Sequence, residues 1–321
     1  MNLIGIGLYG DNGHQLASDG VLTGAHVVAV CDVANAPAGG IRLPSLAALL
    51  ADPRVQLVAI CAPRRATQVD AIRLALRAGK HVIAEKPLVM RHDELDEVIA
   101  LAHQYGCQLF DMAGIADDAP YVAIPPLLDT GVLGEIGQIV VRKSYPYADW
   151  RPQDEDVDGG LIMQSGIHAI RLIEHCADQL ITHVSALSCQ LGNPVARGGL
   201  QMAATIQARL VSGGIASVVL NYYNQRGARR WGDDELRIYG AKGLIMTDGD
   251  GGAQLVTADA TTPIVCAAQP TYIQRVVDCL RGVARRPRPV AQDLHATHVV
   301  IAARTSAMQG GVWLAVPEIH V

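Results

Sequence analysis

The sequence predicts an α/β protein with two parts. The first is a doubly wound parallel sheet, and the second is an α/β domain built on an open antiparallel sheet. Three observations lead there. Residues 3–7 read as a short buried strand, and Gly5-Ile6-Gly7-Leu8-Tyr9-Gly10 follows a G-x-G-x-x-G pattern. Apolar strands then alternate with helical periodicity as far as residue 112, the sign of a parallel sheet with crossover helices. Beyond residue 135, strand-like runs follow one another through short turns such as Ser212-Gly213-Gly214, which calls for antiparallel pairing.

The glycine pattern has a physical purpose. Its first glycine permits a tight turn, the second lets backbone approach a pyrophosphate, and the third lets a helix pack closely on the strand. The helix that follows would offer free N–H groups and a positive dipole end to the phosphates. Asp32 closes a second apolar strand, residues 26–31, about 20 residues on, where an acid can bind a ribose 2′-OH. The N-terminal part therefore reads as a Rossmann-type domain binding NAD, with Gly5, Gly7, Gly10 and Asp32 at the cofactor. Asp11-Asn12-Gly13 follows directly, placing a carboxylate near the phosphate site and making Gly13 an alternative third glycine.

The remaining elements follow in order. Residues 33–40 are too short and too rich in Pro and Gly for a full crossover helix, and only residues 45–51 read as helical, with Ser45 as N-cap. Residues 56–62 are a strand stopped by Pro63. Helical periodicity runs through 67–78, with Gly79 as its terminating residue. Residues 81–84 form a strand leading into Glu85-Lys86-Pro87. Residues 93–105 form an amphipathic helix, and 107–112 the fifth strand. The expected boundary lies near residues 114–118, giving domains 1–115 and 116–321. The second contains a helix at 161–176, strands between 136 and 257, and closing helices at 272–281 and 293–308.

Composition narrows the function classes. Half of the 321 residues are hydrophobic, so a sizeable core is available, but only 4 % are aromatic, so that core must be aliphatic. A net charge of −5 and a pI near 6.1 argue against a nucleic-acid surface. The seven cysteines stand singly without metal-ligand spacing, which fits reduced thiols in a cytoplasmic protein. A first strand beginning at residue 3 leaves no room for a signal peptide, and no apolar run reaches the ~18 residues of a membrane span.

At Ala84-Glu85-Lys86-Pro87-Leu88 the chain resembles the Gfo/Idh/MocA family, of the glucose–fructose oxidoreductase and inositol dehydrogenase type. Asp149-Trp150-Arg151 and Gly159-Gly160-Leu161-Ile162-Met163-Gln164-Ser165-Gly166-Ile167-His168 strengthen the resemblance, as do weaker echoes at Leu133-Gly134-Glu135-Ile136 and in the segment from Leu236 to Gly243. It implies an NAD-dependent oxidoreductase acting on a sugar, inositol or related polyol, and a homo-oligomer formed through the C-terminal sheet. Lys86 then matches the lysine at the nicotinamide and substrate hydroxyl, and His168 the acid–base histidine. Pro63 and Glu85 flank the cofactor, and Trp150, Arg151 and Tyr222 are candidates to line the substrate pocket.

The chain also departs from the family pattern. Gln164 stands where an aspartate is usual, Arg171 where a second acid is frequent, and Arg64 and Thr67 replace Asn and His. Gln164 and His168 are i,i+4 and share a helix face, which Arg171 and His175 extend. That stripe is either a cavity wall or a solvent face. His295 and His298 read as a solvated helix face rather than metal ligands, and the arginines of 226–230 and 281–288 as solvated loops. No metal site is expected. Two other functions remain open: an enzyme that uses bound NAD transiently for elimination or hydrolysis of a sugar, and a non-catalytic NAD-binding scaffold.

Overall fold

A computed structural model describes residues 3–16, 22–35, 39–229, 231–286 and 288–319. The first sheet contains β1 (Ile4–Tyr9), β2 (Ala25–Cys31), β3 (Ile41–Arg42), β4 (Leu57–Ile60), β5 (His81–Ala84) and β6 (Leu109–Asp111) in the order β3-β2-β1-β4-β5-β6, all parallel. Three helices, α1 (Leu46–Ala51), α2 (Gln68–Arg77) and α3 (His92–Gln104), cover one face through Leu49, Ile72, Leu76, Leu95 and Val98. Ser45 caps α1 as its position demands, accepting from the Ala48 amide. The strand β3 is too short to have been apparent in the sequence.

The other face departs from expectation. No helix begins between Gly10 and Gln15, and residues 17–21 lie outside the described set. The apolar side chains there, Ile6, Leu8, Leu57, Ile83 and Phe110, are instead covered by Leu16 and by Tyr272 and Val276 of a helix from the far end of the chain. This face needs cover because every strand of a parallel sheet is apolar on both sides.

The remaining chain adds α4 (Ile124–Leu128), β7 (Ile136–Ser144), α5 (Gly166–Arg171), β8 (Ile181–Cys189), β9 (Ala203–Leu210), β10 (Ile215–Asn221), β11 (Asp233–Gly240), β12 (Gly243–Thr247), β13 (Ala253–Thr257), β14 (Thr261–Pro263), α6 (Tyr272–Leu280), α7 (Val290–Met308) and β15 (Leu314–Ala315). The helix covering the first sheet is α6. The second sheet runs β14-β13-β12-β11-β7-β10-β9-β8-β15. Its strands pair antiparallel as expected except at the centre, where β7 and β10 are parallel, so the sheet is mixed. Ala204, Ile206, Ala208, Ala216, Val218 and Leu220 point inward by strand alternation, towards α5 and α7. No described helix is long and apolar enough to cross a membrane.

Gly5 and Gly7 lie inside β1, opposite His26 and Ala29 of β2. A Cβ on Gly5 would strike the Arg54 carbonyl, and one on Gly7 would lie 2.7 Å from Leu49. These glycines let the β3–β4 crossover pack on the strand, so their placement in a phosphate turn is corrected. Gly5→Ala should therefore lower stability in urea unfolding by about 1–3 kcal/mol, an overpacking cost. The NAD affinity of the folded variant should stay at the parent value. Lost affinity at unchanged stability would return Gly5 to the cofactor.

Candidate active site

The chain leaves β1 at Tyr9 and turns at residues 10–13. Gly10 has φ +70°, and a Cβ there would collide with the Cys61 carbonyl at the end of β4. Gly13 has φ +129°, and a Cβ there would sit 2.6 Å from the Glu85 side chain. This is the glycine turn at the end of the sheet, with Gly13 in place of Gly5 and Gly7. Asp11 accepts from the Ala34 amide at 2.9 Å, tying the turn to the loop after β2. Asn12 donates to the carbonyls of Pro63 and Val157, both at 2.9 Å, and Arg65 donates to the Asn12 carbonyl at 2.8 Å.

Asp32 follows β2 with φ +54° and is exposed. Arg42 lies nearby, but its guanidinium donates to the carbonyls of Val33 and Ala34 at 2.8 and 3.0 Å rather than to Asp32. In open sheets of this kind a dinucleotide lies where the strand order reverses, here between β1 and β4. The residues present fit one: a glycine-bounded turn, Gly10 to Gly13, after β1, an exposed carboxylate after β2, and a lysine after β5.

That lysine is Lys86, which is not at the surface. Glu85 and Lys86 are 1 % and 2 % exposed, and Lys86 Nζ lies 3.5 Å from Glu85 Oε1. The His14 amide donates to Glu85 Oε2 at 2.7 Å, and the His14 ring lies 3.2 Å from the same oxygen. Burial works to raise the Glu85 pKa, but Lys86, His14 and Arg65 outweigh it and hold the carboxyl at about 2. Burial pulls the Lys86 pKa down, with Glu85 opposing.

His168 belongs to a helical run entered through Gly159 and Gly160, whose φ values are +98° and +64°. Residues Leu161–Ser165 and Leu172–Cys176 are π-helical on either side of α5, a departure that often accompanies functional sites. Although Gln164 and His168 share a helix face, no hydrogen bond joins them. Gln164 Oε1 accepts from Ser165 at 3.0 Å, and His168 Nδ1 is buried without a partner. Burial, then the positive charges of Lys143 and Lys86, hold the His168 pKa well below 6.5.

Lys143 was not apparent from the sequence, although its position gave a signal. In β7 it continues the inward phase of Ile139 and Val141, where a lysine is out of place unless paired. Its Nζ sits 2.7 and 2.8 Å from the two Asp234 oxygens and 5.0 Å from the Tyr145 ring centre.

Trp150, Arg151 and Tyr222 come together. The Arg151 guanidinium lies 4.0 Å from the Tyr222 ring, 5.0 Å from Trp150 and 5.7 Å from Tyr145. Trp231 stacks on Trp150 at 6.5 Å and lies 6.2 Å from Tyr145. Tyr145 thus joins the Lys143 end of the pocket to the Arg151 end.

Other expectations are corrected. Arg171 and His175 are both buried, so the stripe is not a solvent face; His175 lines a cavity beside Glu174, Arg288 and Gln292, whereas Arg171 is enclosed in ion pairs. Arg171 pairs with Asp111 at 2.6 Å and Asp293 at 3.3 Å. His295 and His298 are also buried, with His295 against Glu174 at 2.7 Å and His298 against Asp96 at 3.2 Å. Arg286 and Arg288 are paired with Asp293 and Asp117 rather than solvated. No group of three His, Cys, Asp or Glu side chains suited to a metal occurs among the described residues.

Comparison with known proteins agrees with this architecture. Residues 2–112 match the oxidoreductase family with an NAD-binding Rossmann fold, and residues 121–246 match the GFO/IDH/MocA C-terminal domain. The chain belongs to the GFO/IDH/MocA oxidoreductase family, whose cofactor domain binds NAD. It is 34 % identical over 100 residues to a dTDP-3,4-didehydro-2,6-dideoxy-alpha-D-glucose 3-reductase of Streptomyces violaceoruber, covering 30 % of this chain and 29 % of that protein. It is 26 % identical over 181 residues to an inositol 2-dehydrogenase/D-chiro-inositol 3-dehydrogenase of Lactiplantibacillus plantarum, covering 53 % and 50 %. The matched region thus spans half or less of each relative. In fold, it is similar to the aldose-aldose oxidoreductase of Caulobacter crescentus, with TM-score 0.82, 18 % identity and coverage of 98 % and 100 %. The WlbA dehydrogenase of Bordetella pertussis gives TM-score 0.78 and 19 % identity, with 98 % of both chains covered.

The electrostatics can be tested without substrate. By NMR titration the His168 ring should take up its proton below pH 6.5, and Lys143→Met, which removes a neighbouring cation, should move the midpoint to higher pH. A midpoint at or above 6.5 in the parent, or one unmoved in the variant, contradicts this account.

Proposed function

We propose that the protein is an NAD-dependent oxidoreductase acting on a hydroxyl of a sugar, inositol or related polyol. Residues 1–115 hold the dinucleotide, and residues 116–321 hold the substrate and contacts between copies. The observation that carries this reading is the placement of Lys86 and His168. Both are largely buried, His168 is near enough to Lys86 and Lys143 to feel their charges, and Tyr145 beside Lys143 also faces the Arg151, Trp150 and Tyr222 cluster. Gly10, Gly13, Asp32, Pro63 and Glu85 are the residues assigned to the cofactor. NAD, when bound, supplies the hydride acceptor.

The chain's own residues account for the rest of the chemistry. The buried ammonium of Lys86 orients the hydroxyl and stabilises the negative charge on its oxygen as the proton leaves. His168, kept neutral by its surroundings, accepts that proton. With Nδ1 enclosed, Nε2 is the ring nitrogen open to substrate. Gln164 supplies no charge to His168, so the histidine is held neutral more firmly than an aspartate at that position would allow. The exposed faces of Trp150 and Trp231 suit the apolar faces of a sugar ring. Leu187, Ile215, Val219 and Trp313, exposed on the outer face of the second sheet, support association between copies there.

Two measurements test the reading. Lys86→Met should cut kcat by ~100-fold or more while changing NAD affinity little. Near-parental turnover in this variant removes Lys86 from the chemistry. Stoichiometric NADH release distinguishes net oxidation from transient use of bound NAD, and NAD binding without turnover of any polyol favours a scaffold. For the cofactor itself, Asp32 repels a 2′-phosphate and Arg42 is already engaged. NAD should therefore bind at least roughly tenfold tighter than NADP by calorimetry, and equal affinities would remove Asp32 from the ribose.

A further inference from the structure

We infer that Arg151 is the anchor for a carboxylate carried by the substrate, so that the pocket takes an acidic sugar in preference to a neutral one. This deepens the functional reading above and rests on its placement of the substrate against Lys86, His168 and the aromatic wall.

The inference begins with an imbalance. Arg151 is only 5 % exposed, and its Nε and Nη1 are buried without a hydrogen-bond partner. No carboxylate lies within ion-pair distance of its guanidinium among the described residues. Lys86 is matched by Glu85 at 3.5 Å, Lys143 by Asp234 at 2.7 Å, and Arg142 by Asp233 and Glu235 at 2.8 and 2.6 Å. Buried Arg65 has no ion pair among the described residues but gives both Nη atoms to acceptors, Gln68 Oε1 and the Asn12 carbonyl. Asp158 is near enough to feel both Lys86 and Arg151, but its Oδ1 already accepts from the Gly160 amide at 2.9 Å.

What holds Arg151 in place leaves its donors unused. Rings of Tyr222, Trp150 and Tyr145 surround the guanidinium and attract its charge, but a π-face interaction takes none of the in-plane N–H donors. A buried cation with free donors is costly unless something supplies both acceptors and negative charge. A sugar hydroxyl supplies an acceptor alone, whereas a carboxylate supplies an acceptor together with the negative charge that the whole guanidinium lacks, even through a single charge-assisted hydrogen bond. With Nε and Nη1 enclosed, Nη2 is the nitrogen a ligand reaches first. Because Tyr145 contacts both Arg151 and Lys143, the anchor belongs to the same pocket wall as the reacting end.

The test is a binding measurement on the protein loaded with NADH, which permits no oxidation during titration. D-glucuronate, D-galacturonate, D-glucose, D-galactose and D-glucose 6-phosphate are titrated by calorimetry into the parent, Arg151→Met and Arg151→Lys, each checked for folding by its thermal transition. At least one uronate should bind ~100-fold tighter than its neutral counterpart. Arg151→Met should remove that advantage while weakening the neutral sugar less than about fivefold, and Arg151→Lys should restore part of it. The inference is overturned if uronates show no advantage, if glucose 6-phosphate is preferred, or if Arg151→Met weakens acidic and neutral sugars alike. The two readings fail separately. Arg151-dependent uronate binding with no NADH formed from NAD would sink the oxidoreductase reading and leave this one standing. Equal NADH formation from neutral and acidic sugars would do the reverse.

Discussion

A single buried guanidinium sets the geometry of the molecule. Arg171 is fully enclosed and lies between Asp111 at the end of β6 and Asp293 at the start of α7, while Arg286 closes the network on Asp293 at 2.6 Å. Removing one partner from such a group leaves an uncompensated buried charge, at a cost of about 3–5 kcal/mol. The network's position matters more than its strength. Asp111 pairs in register with Ala84, two residues before Lys86, and Arg171 lies one helical turn beyond His168. The separation of the lysine and the histidine, which come from different sheets, is thus set by a short path through Ala84, Asp111 and Arg171. Orientation of this kind has to be fixed by surrounding structure, because chemistry between two groups is sensitive to displacements of an ångström.

The pocket that results is electrostatically unusual. Two lysines and a histidine converge, burial disfavours the charged forms of Lys86 and His168, and each lysine carries its own carboxylate. Glu85 also anchors the glycine turn through the His14 amide, so the residue that steadies Lys86 also fixes that turn. The histidine has no such partner. Its neutrality follows from burial first and from the lysines around it second, so a change at either lysine also reaches the histidine.

Much of this was legible in the chain. The strands, the motif at residues 84–88 and the glycine-entered helix were visible because each is local: alternation, periodicity and turn chemistry are read over a few residues. The glycine register was misread because Gly5 and Gly7 fit the pattern by spacing while their actual constraint, close packing by Arg54 and Leu49, comes from elsewhere in the sequence. His295 and His298 looked solvated because polar residues at helical spacing ordinarily are, and the stripe through Arg171 stayed ambiguous, because the partners of all three lie on other elements far along the chain. Tyr145 and Trp231 gave no local signal at all. Lys143 could have been found from its inward strand phase.

The helix α6 carries a consequence for how the chain is made. The first sheet has one face covered by helices from its own crossovers, but the other depends on Tyr272 and Val276, contributed more than 150 residues after β6. An N-terminal segment emerging from the ribosome therefore presents an apolar sheet face that, among the described residues made by then, only Leu16 and Leu22 help to cover. Domains ordinarily fold in order of synthesis, but this one must wait for its last third. Its uncovered face during that interval is a natural binding surface for a chaperone, and a nascent chain stalled before residue 272 would expose it indefinitely.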